Sequence, residues 1–109
     1  MSRVKAFDYA GQRRETFETF RDMPKGTALP ALAEVDFLFF AEEEDADWAG
    51  LERALAGLGF RCSRDGELLV ARSGPMPVTA EAIWEKERGS TELALGFEFY
   101  PDGWDLGAE

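Results

Sequence analysis

Three observations predict an α+β fold for this chain. The run from Val35 to Phe40 is a strand apolar on both faces; Trp48, Leu51, Leu55 and Leu58 then form a helical stripe; and Asp65-Gly66 separates two further strand-like runs. A second helical stretch beginning at Thr79 and a final alternating run complete the order βαββαβ. That order resembles a ferredoxin-like sandwich, one sheet with helices on one face, here preceded by a short N-terminal helix.

Residues 1–31 are read as that helix and its connecting loop, packed on the domain formed by residues 32–109. Phe17, Phe20 and Met23 recur at helical spacing and Pro24 follows as a stop, so a short amphipathic helix ends there. Its expected position is over the sheet face that the other helices leave open. The stretch "PKGTALPALAE", residues 24–34, is a connecting loop with two prolines.

In "EVDFLFF", Val35, Phe37 and Phe39 share one face and Leu38 and Phe40 the other, which is the pattern of an interior strand. The helix in "DWAGLERALAGLGF" closes on Gly59, a residue that accepts the left-handed conformation of a helix end. The Asp65-Gly66 pair predicts a tight hairpin. Thr79 is a helix cap ahead of Glu81, Ile83, Trp84 and Glu85, and the helix it opens is expected to run about ten residues. From Leu93 the period changes to two, with Leu93, Leu95, Phe97 and Phe99 alternating, and a final strand is the expectation.

A length of 109 residues suits one domain, and 45% hydrophobic residues suit one core. The formal charge of -10 therefore belongs to an acidic surface. It argues against direct nucleic-acid binding, which Lys and Arg drive, and suits a basic protein partner or simple solubility. Cys62 is alone, so no internal disulfide forms, and no apolar stretch exceeds Phe37 to Ala41, too short for a bilayer. With no signal-like segment at the start, a cytoplasmic protein without membrane contact is expected.

Histidine is absent, which removes the commonest general base and most zinc sites. Glu98, Asp102 and Asp105 lie close together but have no evident partner to separate their pKa values, so a solvated surface is preferred to a catalytic pair and no enzyme, metal or cofactor is expected. Asp45, Asp47 and Gly50 match the start of a calcium loop, but Ala49 and Ala56 stand where ligands are needed. The run Glu42, Glu43, Glu44, Asp45 and Asp47 reads mainly as a helix start, with Asp45 a candidate cap. Five acids in six positions exceed that need, and the excess suits a protein partner. "GLGF" ends a helix and is no dinucleotide loop; "LGFEFY" lacks the basic residue of an RNA-binding strand.

The stretch "FYPDGWD" sets large aromatics on either side of a Pro-Asp-Gly turn. Together with "ETFETFRDM", "EVDFLFF" and "AEEEDADWAGLERALAGLGF", it resembles the RraB family, the regulators of ribonuclease E activity of type B, over roughly residues 13–106. The resemblance implies a small non-catalytic cytoplasmic protein that binds an RNase E-like endoribonuclease and restrains RNA decay. The family signature maps onto Tyr100, Asp102, Gly103 and Trp104, with Pro101 inserted, and this chain ends at "DLGAE" without a long acidic tail. The family pattern would carry the last helix almost to the signature, whereas the alternation from Leu93 favours the strand. Trp104 is expected to fold back as a lock on the sheet, a role compatible with an interface anchor. A small-molecule or peptide-binding domain, using a pocket between the N-terminal helix and the sheet, is the alternative function, and self-association is left open.

Overall fold

A computed structural model describes residues 7–107. Helix α1 (Tyr9–Arg21) precedes β1 (Leu32–Ala41), α2 (Trp48–Gly57), β2 (Arg61–Asp65), β3 (Leu68–Pro77), α3 (Ala80–Gly96) and β4 (Phe99–Leu106). The strands form one sheet in the order β2-β3-β1-β4, each neighbouring pair antiparallel. That is the βαββαβ order of a ferredoxin-like α+β sandwich, with an extra helix in front. Among the described residues no helix is long and apolar enough to cross a membrane.

The alternation in β1 sets the core. Val35, Phe37 and Phe39 are buried on the helix side, where they meet Leu51 and Leu55 of α2, Ile83 and Ala94 of α3, and Leu69, Ala71 and Phe99 of the flanking strands. Each fully buried Leu, Ile or Phe contributes about 1.5–3 kcal/mol. Edge-on aromatic contacts, Phe37 to Phe60 at 6.0 Å and Trp48 to Phe99 at 5.1 Å, close the two ends. β1 is the interior strand that its doubly apolar pattern requires, although Leu38 and Phe40 on its second face are only half-buried.

Four expectations need correction. The segment from Leu93 is not a strand: α3 runs to Gly96 because the face that carries Ile83, Glu87, Ser90 and Thr91 continues at helical spacing to Ala94. The alternation of Leu93, Leu95 and Phe97 is fortuitous, and only Phe99 belongs to a strand. Reversal takes place at Glu98, at φ 64°, once Phe97 N–H has bonded the Ala94 carbonyl at 2.9 Å.

The N-terminal helix does not cover the open sheet face. α1 lies in the helix layer beside α3, at the β4 edge, because its buried side is small and polar: Gln12 and Thr16 bond to Thr91 and Glu87 of α3. The cap of α2 is Asp47, whose carboxylate accepts the Gly50 N–H at 2.9 Å, and not Asp45. Finally, Asp102-Gly103 is no terminal turn but a bulge inside β4. Between the pairs Phe39↔Pro101 and Phe37↔Trp104, β4 has one residue more than β1. Gly103, at φ 99°, absorbs it and returns Trp104 to the helix side.

Candidate functional site

Two surfaces gather the residues that the sequence singles out. The first is the β1–α2 loop. Because α2 begins at Trp48, Glu42, Glu43, Glu44 and Asp45 stand outside its first turn, exposed to solvent, and only Asp47 serves the helix end. A macrodipole acts within about one turn, so it leaves the other four acids unexplained. Glu67 of the β2–β3 hairpin joins Glu42, Glu43 and Glu44 around a shallow recess of about 360 Å³ beside Trp48, and Glu98 adds a charge where the loop meets the end of α3. The hairpin itself turns at Gly66-Glu67, with Gly66 at φ 62° and Asp65 already paired to Leu68. Among the described residues no three Asp, Glu or Cys side chains converge to hold a metal ion.

This loop adjoins a partly exposed aromatic pair. Phe40, two residues before Glu42, packs on Tyr100 at 5.8 Å on the open sheet face, and Tyr100 is 37% exposed. Further along that face, Arg72 forks both carboxylate oxygens of Asp36 at 2.7 and 2.9 Å and reaches Glu34 at 3.2 Å, while Arg61 bonds Glu34 at 2.6 Å. These pairs neutralise Glu34 and Asp36 and leave Asp105, opposite Asp36, as an exposed acid at that end, whereas four exposed acids stand together at the loop end.

The second surface is the β4 corner. The bulge separates four residues of the "FYPDGWD" stretch: Tyr100 faces the open side, Asp102 is exposed, Gly103 forms the bulge, and Trp104 is half-buried against α1. Trp104 stacks on Phe20 at 5.7 Å and its indole N–H donates to Thr16 Oγ1 at 3.2 Å. Thr16 donates in turn to Glu87 Oε1 at 2.5 Å. Burial pushes the Glu87 carboxyl up to about 7, with the Glu15 charge adding to the rise and the Thr16 hydrogen bond opposing it. Clefts of about 410 and 350 Å³ open on either side of Gly103, and Glu87 lines both.

Thr16, Gln12 and Glu87 escape sequence reading because each sits in a polar run typical of an exposed helix. The one available signal is spacing, since Glu87 falls four residues after buried Ile83 and seven before buried Ala94. Burial, with the Glu52 charge adding to it, pushes the Cys62 thiol up, away from the reactive thiolate. No protein-family model and no curated protein matches the chain.

Proposed function

We propose that the protein is a non-catalytic regulator that binds a protein partner through the acidic β1–α2 loop and the neighbouring Phe40–Tyr100 pair. The observation that carries this reading is the position of Glu42, Glu43, Glu44 and Asp45, exposed and outside the first turn of α2, where no structural need accounts for them. Charges at such a rim steer association, and an adjacent aromatic pair supplies the apolar contact that holds a complex. The matching partner surface is basic. The resemblance to the RraB family makes an RNase E-like endoribonuclease the partner class to test first, with modulation of RNA decay as the consequence.

The test is binding kinetics of a Glu42→Gln, Glu43→Gln, Glu44→Gln variant against an RNase E-like fragment or the partner co-purified from the native cell, at low and high salt. Asp47 is retained as the cap, so that lost stability does not mimic lost binding. A lower on-rate at low salt with little change in off-rate is expected. Parent-like association under both conditions would remove the loop from the interface.

A second reading, a small-molecule or peptide-binding module, draws on the clefts between α1 and β4. An enzyme would use Glu87, the carboxyl poised near neutrality. Turnover of any ester, phosphate, glycoside or RNA that survives repurification and is lost in Glu87→Gln would overturn the non-catalytic reading.

A further inference from the structure

Glu87 is 6% exposed, yet no Lys or Arg among the described residues pairs with it. Its orientation is set by a relay of fixed direction. An indole N–H can only donate, so Thr16 accepts from Trp104 and sends its own proton to Glu87 Oε1. The second carboxylate oxygen has no hydrogen-bond donor among the described residues, and it is not sealed from solvent. Glu87 itself lines the clefts on both sides of Gly103. Deeper in the wall, Gln12 Oε1 is buried without a donor.

The surroundings do not supply the missing charge. Facing Glu87 across the clefts are Asp8, Arg14 and Glu15 of α1, so acids outnumber the single exposed Arg14; Asp105 of β4 also lines one cleft but is in register with Asp36 on the open sheet face. An acceptor-rich, donor-poor cleft rejects anions, and one buried carboxylate without two companions is a poor site for a hard metal ion. Apolar walls from Met23, Trp104, Leu106 and Pro101 suit a short methylene chain.

We propose that the cleft between α1 and β4 binds an organic cation, an alkylammonium or alkylguanidinium group, whose N–H donors meet the free oxygen of Glu87. The source is either a lysine or arginine side chain of a protein or a free polyamine, since both present this chemistry. The site is separate from the acidic loop, since Glu87 and Gly96, where that loop meets α3, lie roughly 13.5 Å apart along the helix at ~1.5 Å per residue; of the proposed partner surface only Tyr100 also lines one of the clefts. The inference therefore does not depend on the regulator reading.

Linkage fixes the pH dependence. In the empty cleft the carboxyl titrates at about 7, and the cation binds its ionised form. Affinity should then rise roughly tenfold between about pH 6 and about pH 8, following the ionised fraction. The full chain, labelled with ¹³C and ¹⁵N, is titrated with butylguanidinium, with putrescine and with a short Lys/Arg peptide, and the Trp104 indole N–H is followed, its signal assigned from Trp104→Phe. A saturable shift that strengthens with pH and disappears in Glu87→Gln is expected. In the parent, the carboxyl ¹³C signal of Glu87 should show its midpoint falling below about 7 as the cation saturates. Saturation by the small amines identifies a free amine as a sufficient ligand, and saturation by the peptide alone identifies a protein side chain. An indole signal that does not saturate with any of the three, a shift that persists in Glu87→Gln, or a carboxyl midpoint unmoved by cation would each overturn the proposal.

Discussion

Burying Glu87 is unfavourable whenever its carboxyl is ionised, and this residue sets the pH response of the helix layer. Its carboxyl sits at about 7 in the fold against an ordinary value of 4.5, so the folded state holds a proton that the unfolded chain has released. The stabilisation this represents is complete below about pH 4.5 and is lost as pH rises through about 7. Glu87→Gln removes the penalty while keeping an acceptor for Thr16. The variant should be more stable than the parent at about pH 8, by up to ~3 kcal/mol, with an advantage below ~1 kcal/mol at about pH 5. Denaturant melts at both pH values check it, and equal curves at pH 8 would show that Glu87 is well solvated. Trp104 is the relay's other end. Because it is half-buried, Trp104→Ala should cost ~2–3 kcal/mol, less than truncation of a fully enclosed ring, and Trp104→Phe should restore most of that loss while leaving Thr16 without its donor. These residues mark the limit of sequence reading: helical spacing from Ile83 puts Glu87, unlike Glu85, on the buried face, but the α1 and β4 surfaces that close over it are not legible in the chain.

At the scale of elements, patterns that repeat on a buried face were legible and those decided by one glycine or one cap were not. β1, α2 and the β2–β3 hairpin follow their hydrophobic periods because each presents its apolar side to a single core. α3 misleads, since Leu93, Leu95, Phe97 and Phe99 imitate a strand while the buried helical face is polar at Glu87, Ser90 and Thr91. The sign of one substitution tells the two conformations apart. Glu98 is held at φ 64°, where a side chain is strained and glycine is not, so Glu98→Gly should raise stability by ~0.5–1 kcal/mol with an unchanged denaturant slope. In an extended strand the same change would lower stability, because glycine weakens strand interiors. The β4 bulge behaves in the opposite sense. Gly103 has open space around its missing Cβ but lies at φ 99°, so Gly103→Ala should cost ~1 kcal/mol by backbone strain alone. The Pro-Asp-Gly stretch was visible as a chain irregularity, but a turn and a bulge use the same residues. The pairing with Phe37 and Phe39 decides between them.

Across the whole molecule, 22 acids oppose 12 bases, and the paired bases are concentrated around Glu34, Asp36 and Glu52. Those contacts are short, between 2.6 and 3.2 Å, whereas the excess carboxylates repel over the full body, whose radius of gyration is 14.3 Å. The Debye length falls from ~30 Å at 0.01 M salt to under ~8 Å above 0.15 M, so added salt removes the long-range repulsion before it weakens contact pairs. Salt should therefore stabilise this fold, raising the melting temperature by a few degrees, on the order of 0.5–1 kcal/mol, between about 10 and 300 mM. The Glu42→Gln, Glu43→Gln, Glu44→Gln variant should melt above the parent at low salt, with the difference closing at high salt. A melting temperature that falls with salt would mean that the Arg72 and Arg61 network outweighs the repulsion. The predicted sign also protects the interpretation of binding: salt should slow association with a basic partner while strengthening the fold, so slower association at high salt cannot be attributed to unfolding.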